Sequence, residues 1–270
     1  VFIHGALAGL GISVRRWAGR PGLETALRVT CPGDPAAFRR LVHALETAAA
    51  PEALLFDMDG VLADVSASYH EAVIAAAAAW GVRVDRDAIR AAKALPGSNN
   101  DWELTRRLVA AAGPRITLDE ARNAFEAHYQ GTPGRPGLWT RETLIPPREL
   151  LEHLARRLPL GIVTGRPRGD ANRFLEAAGI APLFRTVVCM EDAPLKPDPA
   201  PVRLALERLG LSRAWLLGDT PDDLVAARGA GVLPLGLPAP GAGEATRQAL
   251  RTAGAAVVLE SIAQLTEVLP

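Results

Sequence analysis

The sequence predicts an α/β protein: a Rossmann-like parallel sheet, an inserted helical cap and a short N-terminal α+β remnant. Three observations carry this. After about residue 148, helical stretches alternate with apolar runs, the pattern of a parallel sheet with right-handed crossovers. Between Asp57, which ends ALLFD, and Thr164, which ends LGIVT, lie about a hundred residues, most with helical spacing. A simple crossover needs far fewer. The first fifty residues read as a separate unit, too small to bury a stable core alone.

Within that first unit, GISVR (11–15) and LRVT (27–30) read as strands. Residues 36–48 have helical apolar spacing, with Asp34 placed to cap them. The apolar opening VFIHGALAGLGISV is too short to span a bilayer, lacks a basic leader and carries His4. Ala49, Ala50 and Pro51 read as a linker. Residues 53–57 are a buried-strand candidate. Four helical stretches follow from about residue 66 to 130, and the turn-rich GTPGRPG (131–137) closes them. The remaining strand candidates are 160–164, 186–190, 214–219, 232–237 and 255–259. The expected division is 1–50, a cap over 66–147, and a core from 51–65 and 148–270.

Of the 270 residues, 49% are hydrophobic and the formal net charge is zero, without a dense basic run. This argues against nucleic acid or an anionic membrane as partner. Cys31 and Cys189 lie far apart with no C-x-x-C spacing, so neither a disulfide framework nor a zinc site is expected, and a reducing cytoplasm fits. The basic residues are almost all arginine; Lys93 and Lys196 are the lysines.

Four segments, LLFDMDGVL, GIVTGR, LKPDP and LLGDTPDD, each follow an apolar run. In an open parallel sheet, ligands bind at the carboxyl ends of the strands. The segments therefore bring Asp57, Asp59, Thr164, Lys196, Asp219 and Asp223 toward one crevice. That equipment suits Mg2+-assisted phosphoryl transfer through an aspartate. Asp57 can attack phosphorus, and Asp59, two residues on, can serve as general acid and base. Thr164 and the Gly165 amide can donate to phosphate oxygens, and Lys196 can pair with both Asp57 and the phosphate. Asp57 and Asp219, with a backbone carbonyl near Asp59, are natural Mg2+ ligands. Asp223 either holds a metal-bound water or orients Lys196. Plainer readings exist for single residues: D-x-D-G as a calcium loop, Asp219 and Asp222 as helix caps, Lys196 as a surface lysine. The ordered set of four outweighs them.

These four segments resemble the four motifs of the haloacid dehalogenase superfamily, from about residue 51 to 270. The insert after the first motif resembles subfamily I. The resemblance implies a phosphatase with Asp57 as nucleophile and Asp59 as general acid/base. It also implies phosphate contacts at Gly60, Thr164, Gly165, Arg166 and Lys196, and a Mg2+ site at Asp57, Asp59, Asp219 and Asp223. The second aspartate argues against a dehalogenase. A phosphomutase of the β-phosphoglucomutase type shares FDxDGV and stays open, as does the role of Arg166, which touches substrate or faces solvent.

Residues 1–50 resemble the end of a fold-type I pyridoxal-phosphate (PLP) aminotransferase of the histidinol-phosphate kind, with Arg28 at the position of a substrate-carboxylate arginine. No lysine lies in 1–92, so that piece alone cannot form a PLP Schiff base. A structural appendage is the plainer reading. An upstream aminotransferase domain would suggest histidinol phosphate as substrate; phosphoglycolate or another small phosphorylated metabolite is the alternative. A competing class is an aminotransferase tail carrying a silent module, against which intact Asp57, Asp59, Lys196 and Asp219 speak. In the cap, PGSNNDWELTRR (96–107) offers Asn99, Asn100, Asp101, Trp102 and Arg106. Asn100 and Trp102 are substrate candidates, although a helix cap and a hydrophobic staple explain them as well. His70 and His128 read as surface or packing residues.

Overall fold

The computed structural model describes residues 2–17, 19–93, 95 and 100–270. Six strands build the central sheet: β1 Ala53–Phe56, β2 Leu160–Val163, β3 Phe184–Val188, β4 Ala214–Gly218, β5 Leu233–Gly236 and β6 Val257–Val258. All pair in parallel, in the order β6-β5-β4-β1-β2-β3. The chain proceeds from β1 outward to β3, then returns to lay β4 on the other side of β1. The order therefore reverses between β1 and β4, where a crevice opens at the carboxyl ends.

β1 and β4 are apolar along their whole length because both faces of the sheet are covered. Their side chains alternate between two cores. Leu54, Phe56, Trp215 and Leu217 join one cluster, and Ala53, Leu55, Ala214 and Leu216 the other. Helices α1 Phe2–Gly9, α2 Pro35–Ala49, α7 Arg148–Arg157 and α8 Arg168–Ala177 supply the first cluster. α9 Ala200–Leu209 and α10 Pro221–Gly229 supply the second.

The insert between β1 and β2 contains α3 Tyr69–Ala78, α4 Arg86–Lys93, α5 Asp101–Ala111 and α6 Leu118–Tyr129. Tyr69, Phe125 and Tyr129 form its aromatic centre, with ring centroids 4.6 to 5.7 Å apart. Its two ends are tied by a short antiparallel ribbon, Ala63–Asp64 against Thr143–Leu144.

The N-terminal unit docks on this core. The apolar opening folds as α1, Phe2 meets Trp215 at 5.1 Å, and Trp215 Nε1 donates to Thr47 O at 2.6 Å. Asp34 caps α2 as expected, its Oδ2 accepting from Ala37 N at 2.7 Å. The two expected strands shrink to Arg15–Arg16 paired with Leu27–Arg28, and Arg28 is exposed. The third core strand begins and ends two residues earlier than 186–190. No helix among the described residues is long and apolar enough to cross a membrane.

Candidate active site

β1 and β4 lie in register, Leu217 beside Phe56, so Asp57 and Asp219 leave the sheet side by side at the reversal point. Asp57 N donates to Leu217 O at 2.8 Å and Thr164 N to Val188 O at 2.9 Å, which fixes both residues to strand ends. Gly60 makes the turn after Asp57. Its φ is +76°, and a Cβ there would sit 2.3 Å from Asp219 Oδ2. Only glycine suits both the left-handed backbone and that close approach.

Lys196 reaches the centre of this crevice. Its Nζ lies 2.6 Å from Asp57 Oδ1, 2.5 Å from Asp223 Oδ1 and 2.9 Å from Val163 O. Asp223 is the third residue of α10, and its Oδ2 accepts from Thr220 N and Oγ1 at 3.0 and 2.6 Å. Both its oxygens are thus engaged, which favours orienting Lys196 over other duties. Asp57, Asp219 and Asp223 each offer a carboxylate oxygen within 4.8 Å of the others. Burial pushes the Asp57 carboxyl up to about 7, against the pull of Lys196. Asp219 is raised well above the carboxylate range by burial and by Asp57 and Asp223 beside it. Burial works against the Lys196 charge, yet Asp223 and Asp57 hold its pKa above the ordinary value. The cluster is an oxygen-rich pocket that gathers three carboxyl groups around one lysine.

The Asp59 side chain lies outside the group formed by Asp57, Asp219 and Asp223; its Oδ1 accepts from Arg166 Nε at 2.6 Å. Arg166 does not face solvent. It is 1% exposed, its Nη1 donates to Glu142 Oε2 at 2.8 Å, and its guanidinium lies 4.8 Å from the Tyr69 ring centroid. Thr164 Oγ1 accepts from Arg166 N at 3.1 Å. Glu142, which sequence reasoning missed, also accepts from Ser68 Oγ at 2.9 Å and Tyr129 OH at 3.1 Å. It ties Asp59, through Arg166, to both ends of the insert.

On the cap, Asn100 Oδ1 accepts from Trp102 N and Glu103 N, so it caps α5. Trp102 packs against the hydrophobic core, and its Nε1 donates to Glu126 Oε1 at 2.9 Å. Both still line a slot beside Asp59, Gly165 and Arg166. Asn99 lies outside the described residues. Asp101, offered by the same segment, forms an ion pair with Lys93 at 3.0 Å, and Lys93 shares a second cleft with His70, Asp219 and Thr220.

The comparisons agree with this geometry. A stretch of 197 residues is 45% identical to part of an imidazoleglycerol-phosphate dehydratase from Phytophthora nicotianae, covering 70% of this chain and 44% of that relative. The chain therefore spans less than half of that protein. A phosphoglycolate phosphatase from Rhodospirillum rubrum is 33% identical over 192 residues, covering 67% of this chain and 77% of the relative. A hydrolase structure from Pseudomonas syringae superposes with a TM-score of 0.65 at 25% identity, covering 80% of this chain and 96% of that one. Residues 51–231, which contain all the strand-end carboxylates, match the haloacid dehalogenase-like hydrolases, and the chain belongs to that family.

Proposed function

We propose that this hydrolase is a Mg2+-dependent phosphomonoesterase that works in the cytoplasm through an aspartyl-phosphate at Asp57. The convergence of Asp57, Lys196, Asp219 and Asp223 at the sheet's reversal point carries this reading. The phosphatase relative supports hydrolysis over isomerisation.

Lys196 holds Asp57 Oδ1, so Oδ2 is the attacking atom. It bonds to phosphorus as the phosphorus–ester oxygen bond breaks, and Asp59 protonates the departing alkoxide. Water then attacks phosphorus, the Asp57–phosphorus bond breaks, Asp59 takes the water's proton, and inorganic phosphate leaves. The Gly60 and Gly165 amides, the Thr164 hydroxyl and the Lys196 ammonium bind the phosphate oxygens. Arg166 fixes the Asp59 side chain. The donor set fits Mg2+: hard carboxylate oxygens, closely spaced around one lysine. Asp57, Asp219 and the Asp59 carbonyl would hold the ion, with Asp223 at their side. Bound there, it would neutralise the repulsion between carboxylate and phosphate.

Histidinol phosphate is the first candidate among small phosphorylated metabolites. The aminotransferase-like character of residues 1–50 and the likeness to part of an imidazoleglycerol-phosphate dehydratase support it. The test is phosphate release from p-nitrophenyl phosphate and histidinol phosphate, with Mg2+ or chelator, in wild type and Asp57→Asn. Mg2+-dependent release that falls about a thousandfold in the variant is expected. Equal activity of the two proteins removes Asp57 as nucleophile; release indifferent to chelator removes the metal.

A further inference from the structure

The slot beside Asp59, Gly165 and Arg166 is small. The centre of a water-sized sphere has about 20 Å3 to move in, and roughly 10–15 Å3 is enough for one water. The alcohol of a phosphate ester does not fit there.

Two donors in the lining are unmet. Arg166 is 1% exposed and Tyr69 5%, and neither Arg166 Nη2 nor Tyr69 OH finds a hydrogen-bond partner among the described residues. A third buried atom, Asp101 Oδ1, also makes no hydrogen bond, but Lys93 Nζ lies 3.0 Å away and meets its charge. Buried polar groups are normally paired, with protein or with ordered water. The rest of the guanidinium is engaged: Nε donates to Asp59 Oδ1 at 2.6 Å and Nη1 to Glu142 Oε2 at 2.8 Å. The Tyr69 ring is fixed against Phe125 and Tyr129. Both unmet donors therefore hang on rigid supports, around a space the size of one water.

The neighbours of that space suit a reacting water. In the second step a water must reach phosphorus with a base beside it. Asp59, the base of that step, and Gly165, a phosphate donor, line the same slot. Arg166 occupies Asp59 Oδ1, which leaves Oδ2 for the proton. A tyrosine hydroxyl can donate or accept. While Tyr69 donates, it and Arg166 Nη2 hold both lone pairs of the water. When Tyr69 turns to accept, one lone pair is freed.

We propose that this slot holds the water that hydrolyses the aspartyl-phosphate, with Tyr69 and Arg166 as its positioning residues. The assignment rests on the phosphatase reading above. Once the alcohol has left, the water oxygen bonds to phosphorus and the bond from phosphorus to Asp57 Oδ2 breaks. The water's proton passes to Asp59, and phosphate leaves with Asp57 restored as a carboxylate. Room for a single water favours hydrolysis over transfer to a hydroxyl-bearing acceptor.

The experiment measures kcat and KM for p-nitrophenyl phosphate with Mg2+ in wild type and Tyr69→Phe, which keeps the ring and removes the hydroxyl. The ratio kcat/KM covers the steps through release of the alcohol, whereas kcat includes the hydrolysis that follows. In the variant kcat is expected to fall about tenfold, the scale of one lost hydrogen bond, with KM falling alongside and kcat/KM within about twofold of wild type. An unchanged kcat, or a kcat/KM that falls as far as kcat, overturns the assignment. A high-resolution crystal structure of the wild type decides the matter if Tyr69→Phe does not fold. One ordered water within hydrogen-bond reach of Arg166 Nη2, Tyr69 OH and Asp59 is expected; a slot closed by a side chain, or without ordered water, overturns it. Phosphate release without the kinetic split defeats the slot and leaves the phosphatase standing; no release from any ester removes both.

Discussion

Replacing Lys196 with methionine removes the one cation held between Asp57 and Asp223 while nearly preserving side-chain volume. Lys196 is 4% exposed, and its carboxylate partners are comparably buried. Breaking a buried ion pair from one side costs about 3–5 kcal/mol, because the charge left behind is neither solvated nor paired. At roughly 2–4 °C per kcal/mol for a chain near this size, the melting point should fall on the order of 10 °C. The loss should depend on pH. The folded pKa of Asp57, about 7, lies above its ordinary 3.8. Its contribution to stability is therefore fully present below about pH 3.8 and lost as pH rises through 7. Without Lys196 the carboxyl protonates more readily still, so at pH 5 the crowded acids carry less charge and the variant's deficit shrinks. Thermal melts of both proteins in chelator, at pH 5 and pH 8, measure this. A deficit at pH 8 under about 1 kcal/mol, or one no larger than at pH 5, would refute the role of Lys196 as the counter-charge.

Glu142→Gln keeps an acceptor for Ser68 and Tyr129 but loses the pair with Arg166; urea unfolding should show a loss of about 2 kcal/mol, and steady-state kinetics a lower kcat as the anchor of Asp59 loosens. Gly60→Ala forces a Cβ against Asp219 Oδ2 at a positive φ; a Mg2+ titration of activity should show at least about tenfold weaker activation. Burial holds the His70 imidazole down to about 3. Its contribution to stability is present above about pH 6.5 and lost as pH falls toward 3. NMR should find that ring neutral at pH 5, and a midpoint near 6.5 would contradict its burial.

The core was readable because parallel strands buried on both faces become continuous apolar runs, and the polar residues that end them stand out. ALLFD and AWLLGD announced their strands in this way, with Asp57 and Asp219 at the ends. The cap of α2 was equally local: Asp34 and the helix it starts are adjacent in sequence. What sequence reasoning missed is non-local. Glu142 sits in RETLIPP with no periodicity around it, and its partners Ser68, Tyr129 and Arg166 come from other elements. Trp102 at the start of α5 fits a staple on spacing alone; its hydrogen bond to Glu126, 24 residues later, does not show in that spacing. α1 contains Gly5 and Gly9, which weaken a helical pattern. The fold uses that smallness: a Cβ on Gly5 would meet Ala256 O at 2.4 Å, so the glycine lets α1 lie close against the segment entering β6.

The central claim is that a phosphoryl group passes onto Asp57. The direct measurement is a rapid acid quench during turnover of a phosphate ester, followed by borohydride reduction and peptide mass spectrometry. An acyl phosphate at Asp57 would be reduced to homoserine, and the peptide containing LLFDMDGVL should carry that change only when substrate was present. An unmodified peptide under steady turnover, with phosphate still released by Asp57→Asn, would contradict the account.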